Sequence, residues 1–418
     1  MRSKKLSLGL TALLAVFSMT TFSVTERAAA QTETILYSFS NLNNGGEFPN
    51  GGLIADAKGN LYGTTGAASS TCTGSGCGTV FVVSPKTGGG WALKVLHTFS
   101  RNGTDGWNPV VGVALDAAGN VYGTTYAGGA YGEGVAFKLT RKPGTTTWTE
   151  QVLHSFGAYQ GDGLQPQSSL LIDATGRVFG TTYFGGAHGY GTVFELAPKA
   201  GGTWLEAIVH NFNNNGVDGI YPQAQLIFDA AGNLYGTTTG GGASGGGTAF
   251  QLTPKTGGGF TQNTLYSFAT AAPSRLTMGS DGSLYGTDNN GGTNSLGSVF
   301  KLSPATGGWT QQVLYSFCSQ SGCPDGQTPT SGVTIDASGN LYGVTAAGGA
   351  YFNGTAFKLT PGSGGTYSES TLHSFGNTGD GFGLFYGYGL VFGAGSNLYG
   401  TTPSGGANNY GTVFEITP

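Results

Sequence analysis

Residues 56–65 read Asp-Ala-Lys-Gly-Asn-Leu-Tyr-Gly-Thr-Thr, and variants of this phrase recur along the chain. Its aromatic residue falls at Tyr62, Tyr122, Phe179, Tyr235, Tyr285, Tyr342 and Tyr399, at intervals of 50 to 60 residues. A second phrase, Gly-Thr-Val-Phe-x-Leu, places Phe81, Phe137, Phe194, Phe250, Phe300, Phe357 and Phe414. A third, Leu-(Tyr/His)-Ser-Phe, ends at Phe39, Phe99, Phe156, Phe212, Phe268, Phe317 and Phe375. Each phrase occurs seven times in fixed order, which marks a repeat architecture.

Each repeat holds four strand-like runs. Strand a precedes the Asp (52–56), strand b covers 60–65, strand c covers 78–83 and strand d covers 91–99. The runs are β-branched or aromatic and bounded by Gly, Pro, Asn or Asp. No segment sustains a 3.6-residue period. In the a–b turn, Asp116 is placed to accept backbone N–H groups two residues on, and Gly119 to take the positive φ that closes a tight hairpin. Such hairpins predict one antiparallel meander per repeat. The expected fold is all-β, a seven-bladed β-propeller of four-stranded antiparallel blades, spanning 31–418. The mature chain opens on a strand d (35–39), and its last repeat stops after strand c (412–416). Pairing the N-terminal strand with the last repeat closes the ring and removes exposed edges. A right-handed β-solenoid is the runner-up, and it leaves these unmatched end strands unexplained.

Together, Leu-Tyr-Gly-Thr-Thr, the Gly-Gly doublets, phrases of the type Gly-Thr-Val-Phe-Lys-Leu-Thr-Pro, and Leu-Tyr-Ser-Phe resemble the GloVer (Gloeo/Verruco) tandem repeat of bacterial secreted proteins. The resemblance covers nearly the whole mature chain. It implies a propeller-like repeat architecture and an extracellular address, and it implies no particular activity.

The N-terminus supports that address. Arg2, Lys4 and Lys5 precede a mostly apolar run (6–22) and a small-residue site, Ala28-Ala29-Ala30. This pattern predicts a signal peptide over 1–30, cleaved near Ala30, and a secreted, periplasmic or extracellular protein. An uncleaved anchor is disfavoured, because the run is short and diluted by Ser and Thr. No second run of spanning length follows. Cys72 and Cys77 lie in CTGSGC, and Cys318 and Cys323 in CSQSGC, so two local disulfides are expected. A four-Cys zinc site would need two distant loops to meet and a longer spacing than usual.

Composition narrows the partners. Gly accounts for 79 of 418 residues and charged residues for only 9%, which excludes a coiled coil, while 12% aromatics argue against disorder. The net charge of −4 becomes more negative after signal cleavage, and no basic stripe exists for phosphates, so nucleic acid is not an expected partner. The expected partner is an extracellular glycan or protein.

The d–a and b–c loops share one face of the predicted disc, and their length makes it the expected ligand face. An Asp-Gly doublet recurs there at Asp105, Asp162, Asp218, Asp325 and Asp380. One Asp per blade suits a repeated Asx turn better than a calcium site. His97, His154, His210 and His373 alternate with Tyr37, Tyr266 and Tyr315, which fits amphipathic packing better than ligation. His188 alone stands outside the repeat register, in a b–c loop. The fifth repeat is short, and carries Arg275 near strand a and Asp288 where others have Thr. Ligand-binding candidates are therefore His188, Arg275 and Asp288, with Trp107 and Tyr221 as aromatic platforms near strand a. No catalytic set, metal set or cofactor motif is present. The leading expectation is a non-catalytic binding or scaffold module. The alternative is a polysaccharide lyase or glycosidase at the propeller mouth, which would require those out-of-register residues to converge.

Overall fold

A computed structural model describes residues 33–40, 46–66, 77–270, 273–384 and 389–418. Within them the chain forms seven antiparallel four-stranded blades. Blade 1 comprises β2 (Ile54–Ala55), β3 (Leu61–Thr65), β4 (Thr79–Pro85) and β5 (Trp91–Thr98), paired in that order from the axis outward. These are strands a to d of the sequence reading, although strand a pairs over only two residues. Blades 2 to 6 repeat the order. Blade 7 takes its a, b and c strands from Val391–Phe392, Leu398–Thr402 and Thr412–Ile416, and its outer strand from β1 (Glu33–Ser38). The ring closes as expected, and an open solenoid is excluded.

The a–b turns work as the sequence suggests. Asp116 Oδ1 accepts the N–H groups of Ala118 and Asn120, both at 2.9 Å, and Gly119 has φ 78°. The other carboxylate oxygen accepts the Tyr122 hydroxyl at 3.1 Å. This ties the turn to the aromatic of Leu-Tyr-Gly, a link the sequence reading did not make.

The recurring aromatics meet between blades. Phe99 of blade 1 packs edge-on against Phe137 of blade 2, with ring centroids 5.2 Å apart. The same pairing joins Phe156 to Phe194, Phe212 to Phe250, Phe268 to Phe300, Phe317 to Phe357, Phe375 to Phe414 and Phe39 to Phe81. So the third phrase of one repeat docks on the second phrase of the next. Burying each Phe is worth about 2–3 kcal/mol, and edge-to-face geometry adds about 0.5–1.5 kcal/mol. The Gly of Leu-Tyr-Gly lies over the same ring: a Cβ on Gly123 would sit 2.5 Å from Phe137 Cζ.

The Thr-Thr doublet has two roles. Its second Thr binds strand b to strand c, as in Thr182 Oγ1 to Thr192 Oγ1 at 2.8 Å. Its first Thr reaches the next blade, as in Thr64 Oγ1 donating to the Val111 carbonyl at 2.7 Å. Across the closure, Thr401 donates to the Gly51 carbonyl at 3.1 Å.

Cys318 and Cys323 form a disulfide. Cys77 is also disulfide-bonded, while its expected partner Cys72 and the expected signal peptide lie outside the described residues. No helix among the described residues is long and apolar enough to cross a membrane.

Candidate functional site

The d–a and b–c loops do share a face, because they pair with each other: Gly106 faces Gly128, and Trp107 faces Ala127. Consecutive blades interlock there. In five d–a loops a non-Gly residue with φ of 55–60° precedes a proline, namely Phe48, Asn108, Gln165, Tyr221 and Thr328. The Asn108 N–H donates to the Cys77 carbonyl of the preceding blade at 2.8 Å. The following Pro109 presses on Gly78, whose φ is 99° and whose Cβ would lie 2.5 Å from the proline Cδ. Left-handed backbone at non-Gly residues costs energy and persists where surrounding contacts over-determine it. Here those contacts fix the rim of the axial opening.

Inside that rim lies a cavity of about 510 Å³. Apart from Arg275, its polar side chains are amides and hydroxyls, among them Gln167, Gln223, Gln225, Asn289, Thr330 and Ser331, set beside Val110, Ala224, Pro273 and two glycines. Arg275 supplies its one charged side chain, and no carboxylate lines it among the described residues. The repeat register explains the opening. Two residues before each inner strand stand Gly52, Gly112, Ser169, Gln225, Arg275, Gly332 and Gly389. Five of the seven are small, which leaves room for the long Arg275 side chain. Its Nη1 donates to Gln225 Oε1 of blade 4 at 3.2 Å, and a Cβ on Gly389 of blade 7 would lie 3.8 Å from Nη2. The guanidinium thus extends from blade 5 across the lumen. Burial pulls it below the usual arginine value, yet it stays charged. Among the described residues it forms no ion pair with a carboxylate.

Of the other expected contacts, none lines the cavity. His188 is exposed on its b–c loop. Asp288 is buried: its carboxylate accepts the Thr270 hydroxyl at 2.7 Å and the Asn290 N–H at 3.0 Å, tying together the short fifth repeat. Burial raises its pKa. Trp107 lies under the Arg101 guanidinium at 4.7 Å. Tyr221 stacks on Tyr183 at 4.9 Å and meets Phe184 and Tyr190, so these rings pack loop against loop. The sequence reading passed over the amides Gln223, Gln225 and Asn289. Their signal was position, since they immediately precede strand a or follow strand b.

A second constellation lies on the outer edge of the blade junctions. The Asp of Asp-Gly and the His of Leu-His-Ser-Phe are partners: His154 Nε2 lies 3.0 Å from Asp162, His210 2.8 Å from Asp218, and His373 2.9 Å from Asp380. Tyr315 donates to Asp325 in the same way at 2.7 Å. In two of these loops an Asx turn belongs instead to the residue three before: Asn102 accepts the Thr104 and Asp105 N–H groups, and Asn215 those of Val217 and Asp218. A residue from the outer strand of the next blade completes each group. It is Glu150 beside Asp105, Glu206 beside Asp162, Gln262 beside Asp218, Glu369 beside Asp325 and Glu33 beside Asp380.

Burial and then the Asp380 charge push Glu33 up to about 8. Burial opposes ionisation of Asp380 too, but His373 holds it below its ordinary value. The proton of the pair therefore sits on Glu33 at neutral pH. Unfolded, Glu33 ionises near pH 4.3, so its favourable contribution is complete below that pH, fades as pH rises and is gone above about 8. Glu33→Gln mimics the protonated acid. It is expected to match wild type near pH 4 and to exceed it by about 1–2 kcal/mol at pH 9, after allowance for solvent screening. Urea titrations across this range check it, and parallel curves would count against the shared proton.

Comparison with known proteins bears on this architecture. The Gloeobacter/Verrucomicrobia repeat family model matches residues 66–275 and 269–418. No curated protein matches the sequence significantly. Among solved structures, an ancestral GH74 enzyme is similar with TM-score 0.58 and 12% identity, over 88% of this chain and 47% of that enzyme. A gluconolactonase from Xanthomonas campestris matches with TM-score 0.43 and 13% identity, over 92% of this chain and 89% of its own. A protein of unknown function from Dyadobacter fermentans matches with TM-score 0.44 and 12% identity, over 92% and 98%. At such identities the first likeness concerns the fold alone.

Proposed function

The chain belongs to the Gloeobacter/Verrucomicrobia repeat family, and from that premise we propose that it is a secreted, non-catalytic binding module. Its axial cavity takes an extracellular ligand rich in hydroxyls and bearing an anionic group, the chemistry of an acidic glycan. One observation carries this reading: Arg275 projects, without a carboxylate partner among the described residues, into a cavity whose other polar side chains are all amides and hydroxyls. A guanidinium that lines a cavity with no counter-ion gains from an anion that supplies one. The amides offer donors and acceptors to a polyol in fixed directions. The Cys318–Cys323 disulfide supports an oxidising compartment.

The alternative, a lyase or glycosidase at the mouth, has less support. Arg275 lines the cavity, His188 does not, and the Asp288 carboxylate is engaged with Thr270 and the backbone.

Calorimetric titration with oligogalacturonate and with a neutral cello-oligosaccharide tests the proposal. The acidic ligand is expected to bind more tightly, and added salt to weaken it. Arg275→Gln is expected to weaken it at least tenfold, or about 1.4 kcal/mol. Equal affinity for the two ligands, or indifference to Arg275→Gln, would overturn the anion-binding site. New reducing ends or unsaturated products in the same samples would favour the enzyme.

A further inference from the structure

The blade 1–blade 2 junction differs from its counterparts in one respect. At the junctions after blades 2 and 6, the His and Asp are at hydrogen-bonding distance, 3.0 Å and 2.9 Å. At the first junction they stand apart. His97 Nε2 lies 3.4 Å from Asp105 Oδ2 and 3.6 Å from Glu150 Oε2, and no hydrogen bond satisfies this buried nitrogen. Asp105 Oδ1 and Glu150 Oε1 are buried without a hydrogen-bond partner, as are Glu206 Oε1 and Glu33 Oε1 at other junctions, so the unbonded His97 nitrogen is what sets this junction apart. The Asp105 side chain is only 7% exposed, so this orphaned oxygen is costly unless something occupies it.

We propose that His97 Nε2 and the carboxylates of Asp105 and Glu150 form a binding site for one divalent transition-metal ion of the zinc type. Zinc holds nitrogen and carboxylate oxygen about 2.0–2.2 Å away in a tetrahedron, which puts neighbouring ligand atoms about 3.3–3.6 Å apart. The two separations from His97 fit that edge, whereas those of the hydrogen-bonded junctions are too short. Three protein ligands leave a fourth position for water. One nitrogen among three ligand groups disfavours calcium, which takes six to eight oxygens.

The supporting contacts orient the ligands. The Ser100 N–H and hydroxyl donate to Asp105 Oδ2 at 2.8 Å and 3.2 Å, which holds that oxygen in place beside His97. The His97 ring packs edge-on against Phe99 at 4.7 Å, which fixes its plane. The sequence reading assigned these histidines to packing. They do pack, and at this junction the ring nitrogen has further capacity. The next junction differs at the nitrogen: His154 Nε2 is hydrogen-bonded to Asp162 at 3.0 Å, and one Glu206 oxygen accepts the Tyr159 hydroxyl.

The test uses the full chain, stripped with a chelator and titrated with zinc chloride by calorimetry, with Co²⁺ absorption as a second readout. One equivalent of zinc is expected to bind, to raise the melting temperature, and to be displaced by chelator. Co²⁺ is expected to give the intense visible bands of a four-coordinate site. His97→Ala and Glu150→Gln should each weaken zinc binding at least tenfold, while His154→Ala at the neighbouring junction should leave it unchanged. Absence of zinc binding by the wild-type chain would overturn the proposal. So would binding that persists in both His97→Ala and Glu150→Gln, or that depends on His154.

Discussion

Deleting residues 33–39 is expected to lower the melting temperature by at least about 10 °C and to make the protein associate. These residues are the outer strand of blade 7, contributed from the opposite end of the described chain. Glu33 pairs with Ile416, Ile35 with Phe414 and Ser38 with Thr412. The register slips between Ile35 and Tyr37, opposite Phe414 and Val413. The c–d pairing of blade 2 slips at the equivalent place, between Ala136 and Phe137, so β1 is a true fourth strand rather than an adventitious edge. Its removal leaves the Thr412–Ile416 strand as an open edge next to fully buried apolar side chains. It also removes Phe39, which is 0% exposed and packs on Phe81 of blade 1. Loss of one such ring costs about 3–5 kcal/mol by itself. Thermal scanning and size-exclusion chromatography of the truncated chain check the outcome. A monodisperse protein with the wild-type transition would mean that the inner contacts, such as Thr401 to Gly51, close the ring unaided.

Strands b, c and d were legible because each is a run of β-branched or aromatic residues between clear turn residues, and a sevenfold copy averages out local noise. Strand a was read too long. Around the axis the inner strands converge and pair over two residues, and the residues before them turn into the lumen. Arg275 was visible as a charge out of register, but its neighbours were not. Gln225 and Asn289 become lining residues only when blades 4 and 5 are placed side by side. The His–Asp partnership had an unused signal: all four histidines occur in repeats that carry the Asp-Gly doublet, whereas Tyr37 and Tyr266 precede loops that lack it. The third member could not be seen locally. Glu150 lies 45 residues beyond Asp105 in sequence, and only the ring topology brings it there. Where the Asp is absent after blade 7, the facing position is the apolar Leu93, and after blade 4 it is Gln311, which accepts the Tyr266 hydroxyl at 2.9 Å. Three positions on two blades therefore vary together.

Asp162→Ala is expected to destabilise the protein by about 3–5 kcal/mol, far more than an exposed loop residue would. The Asp162 side chain is 0% exposed. It accepts the Ala158 N–H at 2.8 Å, the Gly163 N–H at 2.6 Å and His154 Nε2 at 3.0 Å. Alanine leaves two backbone donors without this acceptor and an imidazole facing Glu206 alone. His154→Phe is the milder change. It keeps a ring against Phe156, whose centroid lies 4.9 Å from that of the histidine, and removes only the donor, so about 1–2 kcal/mol is expected. If histidine and aspartate act as one unit, the double variant costs less than the two single losses added, by about 0.5–3 kcal/mol. Chemical denaturation of all four proteins gives this coupling. Strict additivity would show that Asp162 shapes its loop through the backbone alone and that the histidine is there for its ring. The rigid rim of the axial cavity would then depend on the loop turns and the interlocking prolines, not on contacts reaching in from the neighbouring blade.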